Sequence, residues 1–265
     1  MASMVAPHLP LPRFWAYCVL ALAIVQLAAC STTHRADTTA ASSGDSTVVS
    51  QETGQAALKV PPYETWQHYQ LPGKSPTEFS FVRIDERQAV AAFADTSASL
   101  LRHRLRVEPG HLGTVKFSWK VAQLIDTADM ALRETDDSPV RVILTFAGDR
   151  SRFSMKNAML SELSMTLTGE PLPYATLMYV WCNSCSPDSV IINPRTDRIR
   201  KMVVESGRSG LRHWRDYERN IRSDFERAFH EAPGALVGIA IMTDTDNTRT
   251  QAQAWYGPLQ LRPAP

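Results

Sequence analysis

The sequence predicts a mainly β protein: an antiparallel, jelly-roll-like β-sandwich with one or two packed helices. Three observations predict it. Apolar residues recur at every second position in nine separate runs, the period of a half-buried strand. Gly, Pro, Asp and Asn punctuate the gaps between those runs. The runs do not alternate regularly with helical patterns, which argues against a doubly wound parallel sheet. With 265 residues, 44% of them hydrophobic, the chain is long enough for one sizeable core. Lys and Arg number 28 against 27 Asp and Glu, so no global field steers the chain to nucleic acid.

Residues 1–29 read as a lipoprotein signal peptide. Arg13 precedes an apolar run, Phe14 to Gln26, too short to span a bilayer. Leu27-Ala28-Ala29-Cys30 then resembles a bacterial lipobox, which makes Cys30 the lipidation site, and Ser31 behind it points to the outer membrane, periplasmic face. From Cys30 to Pro62 the chain is rich in Ser, Thr and Ala and reads as a disordered tether. The sandwich domain then occupies 63–265.

Within that domain, Thr114 to Val121 alternates most cleanly: Val115, Phe117, Trp119 and Val121 share one face, Lys116, Ser118 and Lys120 the other. Similar runs cover Phe79–Ile84, Ala89–Ala94, Leu100–Val107, Val140–Ala147, Ala175–Trp181, Arg198–Glu205, Leu236–Thr243 and Ala252–Leu261. Trp214, Tyr217, Ile221, Phe225 and Phe229 fall at helical spacing, predicting an amphipathic helix. Ser151 to Leu167 is Met-rich and weakly periodic, a looser helix or a long loop.

Several strings recur in order along this body. They are Ser97-Ala98-Ser99-Leu100, Phe117-Ser118-Trp119-Lys120-Val121, Asp136-Asp137 ahead of Arg141 and Phe146, and Leu172-Pro173 with Leu177-Met178-Tyr179-Val180-Trp181. Ser206-Gly207 with Trp214, Arg219-Asn220 with Asp224-Phe225, and the run Gly238 to Thr248 complete the set. Together, over about residues 63–262, they resemble the bacterial domain-of-unknown-function 3047 family of predicted envelope proteins. The resemblance implies a β-sandwich similar to galactose-binding-like and carbohydrate-binding modules, and implies no activity. Cys182 and Cys185 depart from the family pattern.

Those two cysteines follow Trp181, but Pro187 and the strand-like Ser189 to Ile192 come next where a redox motif needs a helix N-terminus. A disulfide clipping a hairpin loop is the expectation in an oxidising periplasm. Asp244, Asp246 and Asn247 close a strand and could offer oxygens to a structural Ca²⁺. Arg249 and Trp255 break the EF-hand template, however, and Asx turns explain the same composition. Asp137 and Arg141 could fork onto a sugar hydroxyl or carboxylate, or form a structural pair. Trp181 and Trp255, at strand ends, could stack on sugar rings. There is no Gly-x-Ser-x-Gly, His-Glu-x-x-His or P-loop, and the seven His lie at no metal-ligand spacing.

These readings converge on a lipid-anchored, periplasm-facing protein that binds a glycan or another envelope component without catalysis, held to the membrane by its N-terminal lipid. Two alternatives stand beside it: an envelope assembly lipoprotein docking a protein partner, and a hydrolase of envelope polysaccharide working through paired carboxylates.

Overall fold

The computed structural model describes residues 60–264. The signal peptide, Cys30 and the tether as far as Lys59 lie outside the described residues.

Alternation becomes pleat. In β5 (Leu112–Val121), Val115, Phe117, Trp119 and Val121 are buried while Lys116 and Lys120 turn away from the core. Before it come β1 (Gln67–Gln70), β2 (Glu78–Ile84), β3 (Arg87–Asp95) and β4 (Ala98–Val107). After it come β6 (Ser138–Phe146), helix α1 (Met155–Thr168), β7 (Ala175–Cys182), β8 (Val190–Ile192) and β9 (Ile199–Ser206). The chain continues through β10 (Arg215–Asn220), helix α2 (Ile221–Phe229), β11 (Leu236–Asp244), β12 (Gln251–Tyr256) and β13 (Gln260–Pro263).

The strands form two layers. The larger sheet runs β1-β4-β11-β6-β7-β9-β8 and the smaller β10-β5-β12-β3-β2, with β13 added to β5. Their inner faces enclose one core, where Phe117 of the smaller sheet stacks on Tyr179 of the larger at 5.3 Å between ring centroids. Helix α2 packs on the same core, with Phe225 4.6 Å from Phe146. Each such side chain contributes roughly 1.5–3 kcal/mol by leaving water.

The structure differs from the sequence expectation in three places. Residues 215–220 form strand β10 rather than the first turns of the expected helix. Tyr217 and Arg219, two apart, face inward, and Tyr217 stacks 5.2 Å from Phe117. Helix α2 starts only where the Asn220 side chain accepts a hydrogen bond from the Ser223 N–H, 2.9 Å. The run Ala252–Leu261 divides at Gly257-Pro258: Pro258 lacks an N–H, and a Cβ on residue 257 would collide with Ser118 Oγ. Among the described residues every strand pair is antiparallel except β7–β9. The chain leaving β7 passes to the outer edge as β8, and β9 returns between the two. Of the two forms the sequence leaves open for Ser151 to Leu167, the structure has the helix, at 155–168, capped by the Ser154 side chain and closed by Gly169 at φ 73°.

Candidate functional site

The outer face of the smaller sheet is built by simple alternation. Inward residues of β3 and β12, such as Val90, Ala92, Ala254 and Tyr256, leave Ala89, Ala91 and Phe93, and Gln251, Gln253 and Trp255, pointing away from the core. Register places Trp255 between Ala91 of β3 and Lys120 of β5, with Gln253 opposite Phe93. Phe93 therefore lies diagonally across from Trp255, within reach of one extended ligand. Alanines and Ser118 floor the face, so the aromatic rings stand above small neighbours.

The β2–β3 hairpin adds charge to this face. Its two-residue turn, Asp85-Glu86, has both residues left-handed (φ 49° and 64°), the geometry that matches the twist of paired strands. Asp85 accepts from Lys120 Nζ at 2.7 Å and from Trp214 Nε1 at 3.1 Å. Lys120 lies 5.7 Å from the Trp255 ring centroid, and Arg87 5.1 Å from that of Trp214. Arg87 also grips Asp216 with both guanidinium nitrogens, at 2.7 and 3.2 Å. The hydrogen bond that Lys120 donates holds the Asp85 carboxyl below its ordinary range, and the one that Arg87 donates to Asp216 raises the Arg87 guanidinium. Lys120 and Arg87, the two cations beside the aromatic rings, each have a counter-charge, so the surface around Trp255 offers donors, acceptors and aromatic planes with no unpaired cation next to the ring.

Of the residues singled out in the sequence, Trp255 lies on this face. The others lie elsewhere. Trp181, expected to be exposed at a strand end, is 1% exposed and donates its indole N–H to the Gly207 carbonyl at 2.9 Å. Its place in β7 puts it on the inner face, in the shared core. Asp137 and Arg141 are also buried, at 1% and 3% exposure. Arg141 sits on the outer face of the larger sheet, but that face is covered: Met130, from the segment between β5 and β6, packs on Val180 and Val203. Its fork is spent on Asp244 (2.7 and 2.9 Å) and Asp136 (3.2 Å). Lys201 joins the same cluster, 2.6 Å from Asp136 and 2.7 Å from the Met130 carbonyl. Asp137 accepts from Asn247 Nδ2 and from the N–H and hydroxyl of Thr248. Cys182 and Cys185 are joined by a disulfide at the end of β7.

Asp137, Asp244 and Asp246 bring one carboxylate oxygen each within 4.8 Å of one another. That is the oxygen set a Ca²⁺ would use, but the oxygens already face donors. Asp244 faces Arg141, Asp246 faces Lys74, and Asp137 faces the Asn247–Thr248 turn. The protein's own cations and turn donors supply the compensation an ion would bring, so the residues fit Asx-turn chemistry better than a metal.

Burial sets the protonation of this cluster. It pushes Asp244 up to about 6, reinforced by Asp137 and Asp136 and opposed by Arg141. Burial and Arg141 bring Lys201 down to about 8, opposed by Asp136. For Asp136, burial is outweighed by Arg141 and Lys201, and the carboxyl stays low. Between an unfolded value of 3.8 and about 6, the folded chain keeps a proton on Asp244 that the unfolded chain releases. The stability from this group is therefore complete below the lower value and lost as pH rises through the upper, up to about 3 kcal/mol. Lys201 acts oppositely, raising stability from about pH 8 towards 10.5. Urea midpoints at several pH values provide the check: the stability of wild type minus that of Asp244→Asn should shrink from pH 4 to pH 6. A pH-independent difference would contradict the assignment.

A cleft of about 320 Å³ opens elsewhere, lined by Tyr63, Trp66, Phe81, Val90 and Leu259 with Arg83 among its polar groups.

A family model described as Protein of unknown function (DUF3047) matches residues 64–260. The chain belongs to the DUF3047 family. The match takes in both sheets and both helices, so the exposed aromatic face and the buried charge cluster both lie within the DUF3047 domain. No curated protein matches the sequence. Among solved structures, one similar to this DUF3047 chain is the xyloglucanase domain of NopAA, a type three effector from Sinorhizobium fredii, in complex with cellobiose. The two share 8% identity over 77% of this chain and 100% of that one, with a TM-score of 0.40. Likeness at that level carries neither ligand nor chemistry across to the DUF3047 protein.

Sequence reasoning missed Asp85, Arg87, Phe93 and Asp216. The signal that could have found them is the hairpin turn between two alternating runs, which places Asp85 and Arg87 beside Lys120 once β3, β12 and β5 are laid side by side.

Proposed function

We propose that this DUF3047 protein is a lipid-anchored binding protein of the bacterial outer membrane. It faces the periplasm and recognises a neutral, hydroxyl-rich glycan of the envelope on the outer face of its smaller sheet, without catalysis. The observation that carries the reading is Trp255, set on an open sheet of small residues with Phe93 diagonal to it and amides and paired charges around it. Sugar rings lay their C–H faces on aromatic planes, and their hydroxyls accept from Lys120 and the Gln253 amide and donate to Asp85. Because Lys120 is paired with Asp85 and Arg87 with Asp216, a polyanion gains little there, which favours uncharged sugars. Anchoring rests on the Leu27-Ala28-Ala29-Cys30 string behind an apolar run.

The test is affinity of the detergent-purified full chain for neutral envelope glycan fragments. Trp255→Ala should weaken binding about 30-fold, the effect of a central aromatic anchor, with a thermal midpoint close to wild type. Phe93→Ala should weaken it less. Equal binding by both variants, or release of shortened glycan from the wild type, would overturn the reading. Independently, Cys30→Ser should move the chain from the membrane to the soluble fraction.

A further inference from the structure

We propose that helix α1 rests on the lipid bilayer through a stripe of Met155, Met159, Leu163 and Leu167. The inference goes beyond glycan recognition and rests on the anchoring part of that reading. Helix α1 is inverted relative to an ordinary surface helix. Its protein-facing side is polar: Asn157 donates to Asp197 at 2.6 Å and accepts from Thr196 at 2.7 Å, and Ser161 is buried. Its outward side is largely apolar, with Lys156, Glu162 and Thr166 exposed among the apolar side chains. Met155 is 82% exposed, Met159 67%, Leu163 53% and Leu167 59%, at successive four-residue steps. Four-residue spacing places the first four side chains on one side of the helix, over about 20 Å of length.

Three observations favour a bilayer as the occupant. First, a stable protein–protein interface takes roughly 20–30 residues from each partner. The stripe supplies four, too few to hold a second copy by itself, whereas an interfacial helix needs only a shallow apolar face. Second, Arg150, Arg152 and Lys156 outnumber Asp149 at the leading end of the helix, with Arg152 3.8 Å from Glu231, and Glu162 is the single acid within the helix. That charge suits the anionic headgroups of a membrane surface. Third, the sequence read as a tether runs from Cys30 to Pro62. A chain with the flexibility that this composition predicts would reach roughly 30 Å, which would keep the helix near the lipid at high effective concentration, so that weak affinity suffices. Among the described residues no helix is long and apolar enough to cross a membrane; α1 would lie on the surface.

The test places an environment-sensitive dye on α1 through Met159→Cys in the full chain, both lipidated and as Cys30→Ser. Vesicles of phosphatidylethanolamine with phosphatidylglycerol are the probe. In both chains the dye should shift to the blue on vesicle addition. In the Cys30→Ser chain, Met155→Ser with Leu163→Ser should weaken vesicle partition about tenfold without lowering the thermal midpoint. A dye that stays in water while the lipidated chain floats with vesicles overturns the proposal and leaves the anchor standing. A native chain that carries no lipid refutes the anchor, and the Cys30→Ser titration alone then decides for or against α1. A dye already in an apolar environment before lipid is added overturns the proposal in favour of a protein occupant.

Discussion

Arg141→Ala is expected to lower folding stability by about 3–5 kcal/mol, the effect of removing one partner from a buried ion pair. Arg141 is 3% exposed and its guanidinium faces two carboxylates, Asp244 and Asp136. Without it, Asp244 would be left buried beside Asp136 and Asp137, with only Lys201 nearby to offset the three. Removing both members of the Arg141–Asp244 pair behaves differently, because the desolvation of each charge disappears with its Coulomb partner. Arg141→Met with Asp244→Leu should therefore recover much of the loss. Urea denaturation of the single and double variants makes the comparison. A single-variant loss under about 1 kcal/mol would mean that the cluster is hydrated and not the closed network described above.

Trp181→Ala should cost a similar amount, about 3–5 kcal/mol, because it empties a large volume from a packed core. The side chain is 1% exposed, its N–H is satisfied by Gly207, and a Cβ on residue 210 would sit 3.0 Å from its ring. Such a site has little freedom to collapse around the gap. The variant also separates core from ligand surface. Measured well below its thermal midpoint, Trp181→Ala should keep wild-type glycan affinity, while Trp255→Ala should keep stability and lose affinity. The opposite pattern would return Trp181 to the role its place at a strand end suggests.

The strand positions were legible in the sequence because each depends on neighbours two residues away. All nine alternating runs contain strand, and Phe117 and Trp119 face inward as their period requires. The strands outside the nine runs, β1, β8 and β10, are edge strands of their sheets. An edge strand meets the core on little of its surface and need not alternate. The periodicity from Trp214 to Phe229 misled for a related reason. Spacings of three and four residues suit a helix, but Tyr217 and Arg219 are held as a strand by β5, a partner about 100 residues away in sequence.

The candidate site was half legible. Trp255 and Lys120 could be placed on an outer face by alternation alone. Arg141 could be placed on an outer face in the same way, and it is nevertheless buried. Alternation divides a strand into two sides and carries no information about what covers the second. By itself the sequence determined the layers, the inward residues and the family of the domain. Only the tertiary structure decided that the segment between β5 and β6 closes over the outer face of the larger sheet. There the charges lose water and must pair with one another, whereas on the smaller sheet no described segment closes over Trp255, and its ring stays partly exposed.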